Sequence, residues 1–259
     1  MNFRIGDFVT RISHKHDIVF KIVGLEGNVV FLKGVDLRLY ADSDIADLVK
    51  TEYSDESDKD IIEANLRDIR LDRSQYFYLP GKILHIDGDE EYLERCMSFY
   101  KQMNIKANGL AMPEIEIADR IGELLNEYRP DIVIITGHDA FYERKPKDNL
   151  NSNYQNTANF IEAVKVARRY EKSQDKLIII AGACQSNYED LIKAGANFAS
   201  SPKRINIHAL DPAIIATSLA LSDRNKSIDV IKIIEKTKYG SDGIGGIITN
   251  GTMYVGYPR

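Results

Sequence analysis

Two side chains in this sequence stand where chemistry could be run, Cys184 and His138. Each follows an apolar run, DIVIIT before Gly137-His138-Asp139 and KLIIIA before Gly182-Ala183-Cys184. A thiol needs help to react near neutral pH, and a neighbouring imidazole supplies it by drawing off or sharing the proton. Cys184 also opens a turn into a helix expected from about Asn187, whose first N–H groups favour a thiolate and later an oxyanion. Gly137 and Gly182 permit tight backbone approach beside each reactive group. Taken singly, a cysteine after a strand is more often an inert core residue, and a histidine more often packs or caps. Both fall at consecutive strand ends beside a glycine, and that favours a joint role. Cys96 differs, because its helical spacing with Leu93 and Tyr100 reads as packing.

The elements that must position these groups alternate. KILHI (82–86), IKANGLA (105–111), DIVIIT (131–136) and KLIIIA (176–181) read as strands. Between them, Leu93, Cys96, Met97 and Tyr100 share one helical face. Ala118, Ile121, Leu125 and Tyr128 share a second, and Phe160, Val164 and Ala167 a third. DLIKAG (190–195) reads as a helix closed by a glycine cap. Further helices are expected at Pro212–Leu221 and Lys226–Lys238, and the Gly-rich tail suggests one or two edge strands. Such alternation predicts an α/β fold with a mostly parallel sheet covered on both faces. Ligands of such sheets bind outside the carboxyl ends of the strands. A flavodoxin-like order, 2-1-3-4, would bring the acidic loop Asp87-Gly88-Asp89-Glu90, the imidazole and the thiol to one rim. The separation of His138 and Cys184, 184 − 138 = 46 residues, is close to the ~50 of the caspase arrangement.

Upstream, residues 1–49 read as a small SH3-like β-barrel. Strands are expected at Phe3–Val9, Ile18–Gly24, Val29–Lys33 and Leu37–Tyr40, parted by Gly24, Gly27-Asn28 and Gly34. The stretch lacks a basic stripe with interleaved aromatics, which argues against nucleic acid as a partner. Residues 50–76 form a charged linker, with at most a short helix through Ile62, Leu66 and Ile69, and residues 77–259 form the α/β unit. A 259-residue chain with 44% apolar residues can bury a core without staples. The net charge of −5 is too mild to mark a polyanion binder. Two cysteines make neither a disulfide scaffold nor a thiolate cage, and no run is long enough to span a membrane. A cytoplasmic protein without membrane contact is expected. The five histidines are scattered and GIGG (243–246) has no strand–helix entry, so neither metal nor cofactor is expected.

The segments IVIITGHD and LIIIAGAC are similar to those of caspase-like cysteine peptidases, including clostripain, gingipain and legumain. Those enzymes place an apolar strand before a His-Gly and another before an Ala-Cys. This sequence departs from them in having Asp139 after the histidine. A resemblance over nearly the whole chain is closer still. FRIGDFVTR, RLYADSDIADLV, LPGKILHIDGDEEYL, RPDIVIITGHDA, IIIAGACQSNYEDLIKAGANFASSP and RINIHALDP resemble the YabG family of sporulation-specific peptidases. That resemblance implies a cysteine endopeptidase, acting on spore coat and cortex-associated proteins in the sporulating cell, with cleavage after arginine and self-cleavage.

The resemblance implies roles in turn. Cys184 would attack the scissile carbonyl to give a thioester, and His138 would protonate the leaving amine and then activate water. The N–H groups of Asp139 and Cys184, with Gly137 beside them, would form the oxyanion hole. Arginine at the cleavage site calls for a carboxylate partner: Asp87 first, then Asp89, Asp211 and Asp139, although Asp89 and Asp211 also suit helix starts. SSPKRINIHALDP (200–212) is expected to wall the cleft, and Gln185 and Ser201 complete the substrate-binding set. His208 is a rival base better suited to packing, His85 reads as core, and His14 and His16 read as exposed. Arg67, Arg70 and Arg73 in the linker are candidate self-cleavage positions. The competing reading is a non-catalytic α/β ligand-binding module whose barrel recruits protein or nucleic acid.

Overall fold

The computed structural model describes residues 3–54, 56–69, 71–141 and 153–258, and the chain divides into two compact units, Met1–Ile61 and Ile62–Arg259. The division falls within helix α1, inside the charged stretch.

The N-terminal unit is an antiparallel sheet of five strands: β1 (Phe8–Arg11), β2 (Phe20–Glu26), β3 (Val29–Gly34), β4 (Tyr40–Asp44) and β5 (Leu48–Lys50). Their order is β4-β3-β2-β1-β5. Alternation turns Val9, Phe20, Ile22, Val30, Leu32 and Leu48 to one buried face. β1 starts later than its Val/Phe content suggests, because Gly6 takes a left-handed φ of +93° and the N–H of Asp7 returns to the carbonyl of Arg4. β4 likewise begins only at Tyr40. The preceding residues form a tight turn in which the Gly34 N–H donates to the Leu39 carbonyl at 2.6 Å, and a Cβ on Gly34 would overlap the Leu37 carbonyl.

Helix α1 (Glu56–Asp68) occupies much of the charged stretch, followed by β6 (Phe77–Leu79). Then come β7 (Ile83–Asp87), α2 (Glu90–Gln102), β8 (Ala107–Ala111), α3 (Glu114–Tyr128), β9 (Ile132–Thr136), α4 (Thr157–Tyr170) and β10 (Ile178–Ala181). The chain continues through α5 (Tyr188–Ala194), β11 (Phe198–Ser200), α6 (Asp211–Ala220), α7 (Val230–Ile234), β12 (Ile244–Gly246) and β13 (Tyr254–Gly256). The main sheet has the order β12-β11-β10-β9-β7-β8, parallel except for β12. Its first four parallel strands therefore follow the 2-1-3-4 arrangement. β13 pairs with β6 in a separate two-stranded ribbon. The second of the two late helices is shorter than its apolar content suggests, only Val230–Ile234, because Asp229 caps it and the chain turns again at Thr237.

One sheet face, with Leu84, Ile86, Val133, Ile135, Ile179 and Ala181, packs under α3, α4 and α5. The other face lies under α2 and α6, where the Cys96 thiol is fully buried and donates to the Ala209 carbonyl. β7, β9 and β10 are buried along their whole length. Strands covered on both faces are continuous apolar runs rather than alternating ones. Among the described residues no helix is long and apolar enough to cross a membrane.

Candidate active site

The parallel strands end along one rim, and each contributes a loop. After β7 come Gly88 and Asp89, after β8 Pro113 and Glu114, after β9 Gly137, His138 and Asp139, after β10 Gly182, Ala183 and Cys184, and after β11 Ser201.

His138 is about one-fifth exposed, and carboxylates flank both of its ring nitrogens. Asp89 Oδ2 lies 3.3 Å from Nε2 and Glu114 Oε1 lies 3.5 Å from Nδ1. Glu114 Oε1 also accepts the His138 backbone N–H at 2.7 Å. The His138 carbonyl accepts from the Asn156 side-chain amide at 2.8 Å. Burial works against the imidazolium, but Asp89 and Glu114 outweigh it and raise the His138 pKa above its ordinary 6.5. Reciprocally, burial pushes the Glu114 pKa up, yet the bonds to His138 leave it below its ordinary 4.5.

The Cys184 thiol is 2% exposed. Its sulfur accepts the backbone N–H of Ile207 at 3.2 Å. The turn that presents it has unusual backbone geometry. Gly182 sits at φ +99° and Gln185 at +59°, and Ser201 (+68°) and Arg204 (+53°) in the facing loop are left-handed too. Non-glycine residues held in that region cost on the order of 1–3 kcal/mol each, and they gather at functional sites.

Asp139 joins the two loops. Its Oδ1 accepts from the N–H groups of Ala140 and Asn156, and its Oδ2 from the hydroxyls of Thr157 and Ser186. Ser186 Oγ in turn accepts the Ala183 N–H, while Thr136 Oγ1 donates to the Gly182 carbonyl at 2.9 Å. Burial raises the Asp139 pKa above its ordinary 3.8 even though these donors lower it.

Other residues expected at the site are placed as follows. Asp87 is fully buried: Oδ1 accepts the Asp89 N–H at 3.0 Å and Oδ2 lies 3.5 Å from His85 Nε2, with His85 Nδ1 bonded to Tyr100 at 2.9 Å. Asp211 is also fully buried at the start of α6, accepting the N–H groups of His208 and Lys238. Ser201 Oγ accepts the Gln185 N–H and donates to the Ile205 carbonyl, and Gln185 Oε1 accepts from the Phe141 N–H. His208 is 2% exposed and accepts the Leu210 N–H on Nδ1. His14 and His16 lie on the surface of the N-terminal unit. Arg67 belongs to α1 and pairs with Glu63, Arg73 is exposed, and Arg70 lies outside the described residues.

Sequence reasoning did not single out Glu114, Asn156, Thr157 or Ser186. The one local signal was Pro113-Glu114, a proline and an acid at a helix start just after a strand. An imidazole bracketed by carboxylates, next to a thiol loop on the adjoining strand, can run nucleophilic acyl transfer with proton delivery.

Comparison with known proteins gives two results. The family described as YabG peptidase U57 matches residues 4–258. The sporulation-specific protease YabG of Bacillus subtilis (strain 168) is 39% identical over 287 aligned positions, which take in 100% of this chain and 99% of that protein.

Proposed function

The chain belongs to the YabG peptidase U57 family, and on that footing we propose that it is a cysteine endopeptidase in which Cys184 is the nucleophile and His138 the proton carrier. The observation behind this reading is the pairing of β9 with β10, which sets the His138 and Cys184 loops side by side, linked through Asp139 and Ser186. The Cys184 thiolate, its proton carried by His138, attacks the scissile carbonyl carbon. The carbonyl oxygen becomes an oxyanion between the N–H groups of Cys184 and Asp139, with Gly137 leaving room for the chain. The C–N bond then breaks, the amine leaves with a proton from His138, and a thioester remains. Water, giving a proton back to His138, hydrolyses the thioester and frees the sulfur. The Ile207 N–H on the sulfur supports this sequence, since it stands where negative charge gathers before and after each step.

By similarity to a sporulation-specific protease, the setting proposed is the sporulating cell, with spore coat and cortex-associated proteins as substrates. A caspase-like mechanism and cleavage after arginine are part of the same proposal. Of the acids considered for a guanidinium, Asp87, Asp139 and Asp211 hold donors of the fold and Asp89 faces His138. Gln185 and Ser201 brace the nucleophile turn. Self-cleavage would fall at exposed Arg73 more readily than at Arg67, since a peptidase needs an extended segment and Arg67 is helical.

The test is cleavage of arginyl, lysyl and uncharged peptides by the wild-type chain and by Cys184→Ala and His138→Ala. We expect arginine-dependent cleavage in the wild type and a loss of at least a thousandfold in the cysteine variant. An active Cys184→Ala protein would overturn the assignment.

A further inference from the structure

Asp89 and Glu114 reach His138 from different elements. Asp89 caps α2, its Oδ1 accepting the Tyr92 N–H at 3.1 Å while Oδ2 faces the ring. Glu114 opens α3 beyond β8, the edge strand. The chain makes room for Glu114 at two places, because a Cβ on either Gly88 or Gly137 would overlap its carboxylate. Asp89 is rooted from below by Asp87, which accepts its N–H, and by the buried His85 and Tyr100 beyond. Two carboxylates held on opposite sides of one imidazole repel each other unless a positive charge lies between them.

We propose that Asp89 and Glu114 are positioning residues that grip His138 from both ring nitrogens, hold it as an imidazolium and aim it for proton delivery to the leaving amine. This rests on the Cys184–His138 reading. Among the described residues, Asp89 and the Tyr92 ring of α2, 6.0 Å away, and Glu114 of α3 face the ring, and the Cys184 loop follows β10, the strand paired with β9. Asp139 turns its carboxylate to Thr157 and Ser186 instead. The contacts at 3.3 and 3.5 Å are long for charged hydrogen bonds. An arriving amine can therefore take over one ring N–H while the other carboxylate keeps the ring in place. Once the proton has gone, the same carboxylates draw the next one from the hydrolytic water.

The experiment compares wild type, Asp89→Asn and Glu114→Gln, isosteric changes that keep the α2 cap and the packing. kcat and KM for an arginyl peptide are followed from pH 5 to pH 9.5, and the His138 ring is titrated by NMR in a Cys184→Ala background. Removing one carboxylate lowers the pH at which the imidazolium discharges. Each variant should then lose roughly tenfold in kcat at pH 8.5, recover near pH 6 and keep its KM, since one opposite charge shifts a neighbour by about a factor of ten or more. The NMR titration should move in the same direction. Gly88→Ala, which displaces Glu114 without altering any charge, should reproduce the Glu114→Gln profile. If the His138 titration is the same in all proteins, the proposal is overturned, whatever the kinetics. A raised KM for arginyl peptides in Asp89→Asn with an unmoved pH profile would also overturn it and make Asp89 a substrate ligand. Because the titration needs no turnover, it stands or falls apart from the peptidase assignment.

Discussion

Removing the Asp139 carboxylate should loosen the joint between the His138 and Cys184 loops. In Asp139→Ala four donors lose their acceptor: the N–H groups of Ala140 and Asn156 and the hydroxyls of Thr157 and Ser186. Thr157 and Ser186 are fully buried, so bulk water does not reach their hydroxyls in the folded chain. Hydrogen bonds to a charged group contribute about 1.5–3 kcal/mol each, but four to one group do not add. The cost of burying Asp139, visible in its raised pKa, offsets part of the gain. Leaving these four donors without an acceptor costs about 1–3 kcal/mol for each buried group, less than additively, or about 3–5 kcal/mol in all. For a unit of this size that is a fall of roughly 10 °C in Tm. Asp139→Asn keeps one carbonyl oxygen, and its amide can donate to hydroxyls that rotate to accept. It should lose only about 1–2 kcal/mol. The assay is denaturant unfolding of the full chain in a Cys184→Ala background, followed on the transition of the C-terminal unit with the m-value checked for constancy. A loss below about 1 kcal/mol in Asp139→Ala would show that the joint does not hold the loops.

Two further outcomes are accessible by the same methods. The guanidinium of Arg168 donates to the carbonyls of Glu171, Ser173, Leu177 and Gly195 and to the Asn197 side chain, tying the ends of α4 and α5 to the entry of β10. A lysine cannot copy that fork, so Arg168→Lys should cost about 2–3 kcal/mol; an unchanged denaturation midpoint would refute this. For His138 the folded pKa is raised, so its stabilisation is complete below its ordinary 6.5 and fades as pH climbs through the folded value. His138→Gln should therefore lose more stability at pH 6 than at pH 9, and an equal loss at both would refute it.

Much of this arrangement was legible in the sequence because the buried strands are short apolar runs with a glycine just after each. IVIIT before Gly137 and IIIA before Gly182 carry the His138 and Cys184 loops on their ends. The residues that were not legible depend on crossovers. Glu114 reaches His138 only because β8 folds back to the outside of β7, which brings a residue 24 positions upstream against the ring. Asp87 and Asp211 look like surface acids in isolation. They are buried because main-chain donors from Asp89, His208 and Lys238 converge on them, and no local pattern encodes that. In the N-terminal unit the strands were misjudged where glycine turns, at Gly6 and Gly34, take residues out of the ladder.

The hydrogen bond from the Ile207 main chain to the Cys184 sulfur does not depend on which side chain stands at 207. Every amino acid except proline carries that N–H. The donor is therefore written into the course of the chain from Ser201 to Leu210 rather than into any one codon, and the side chain at 207 is left to answer only to its packing.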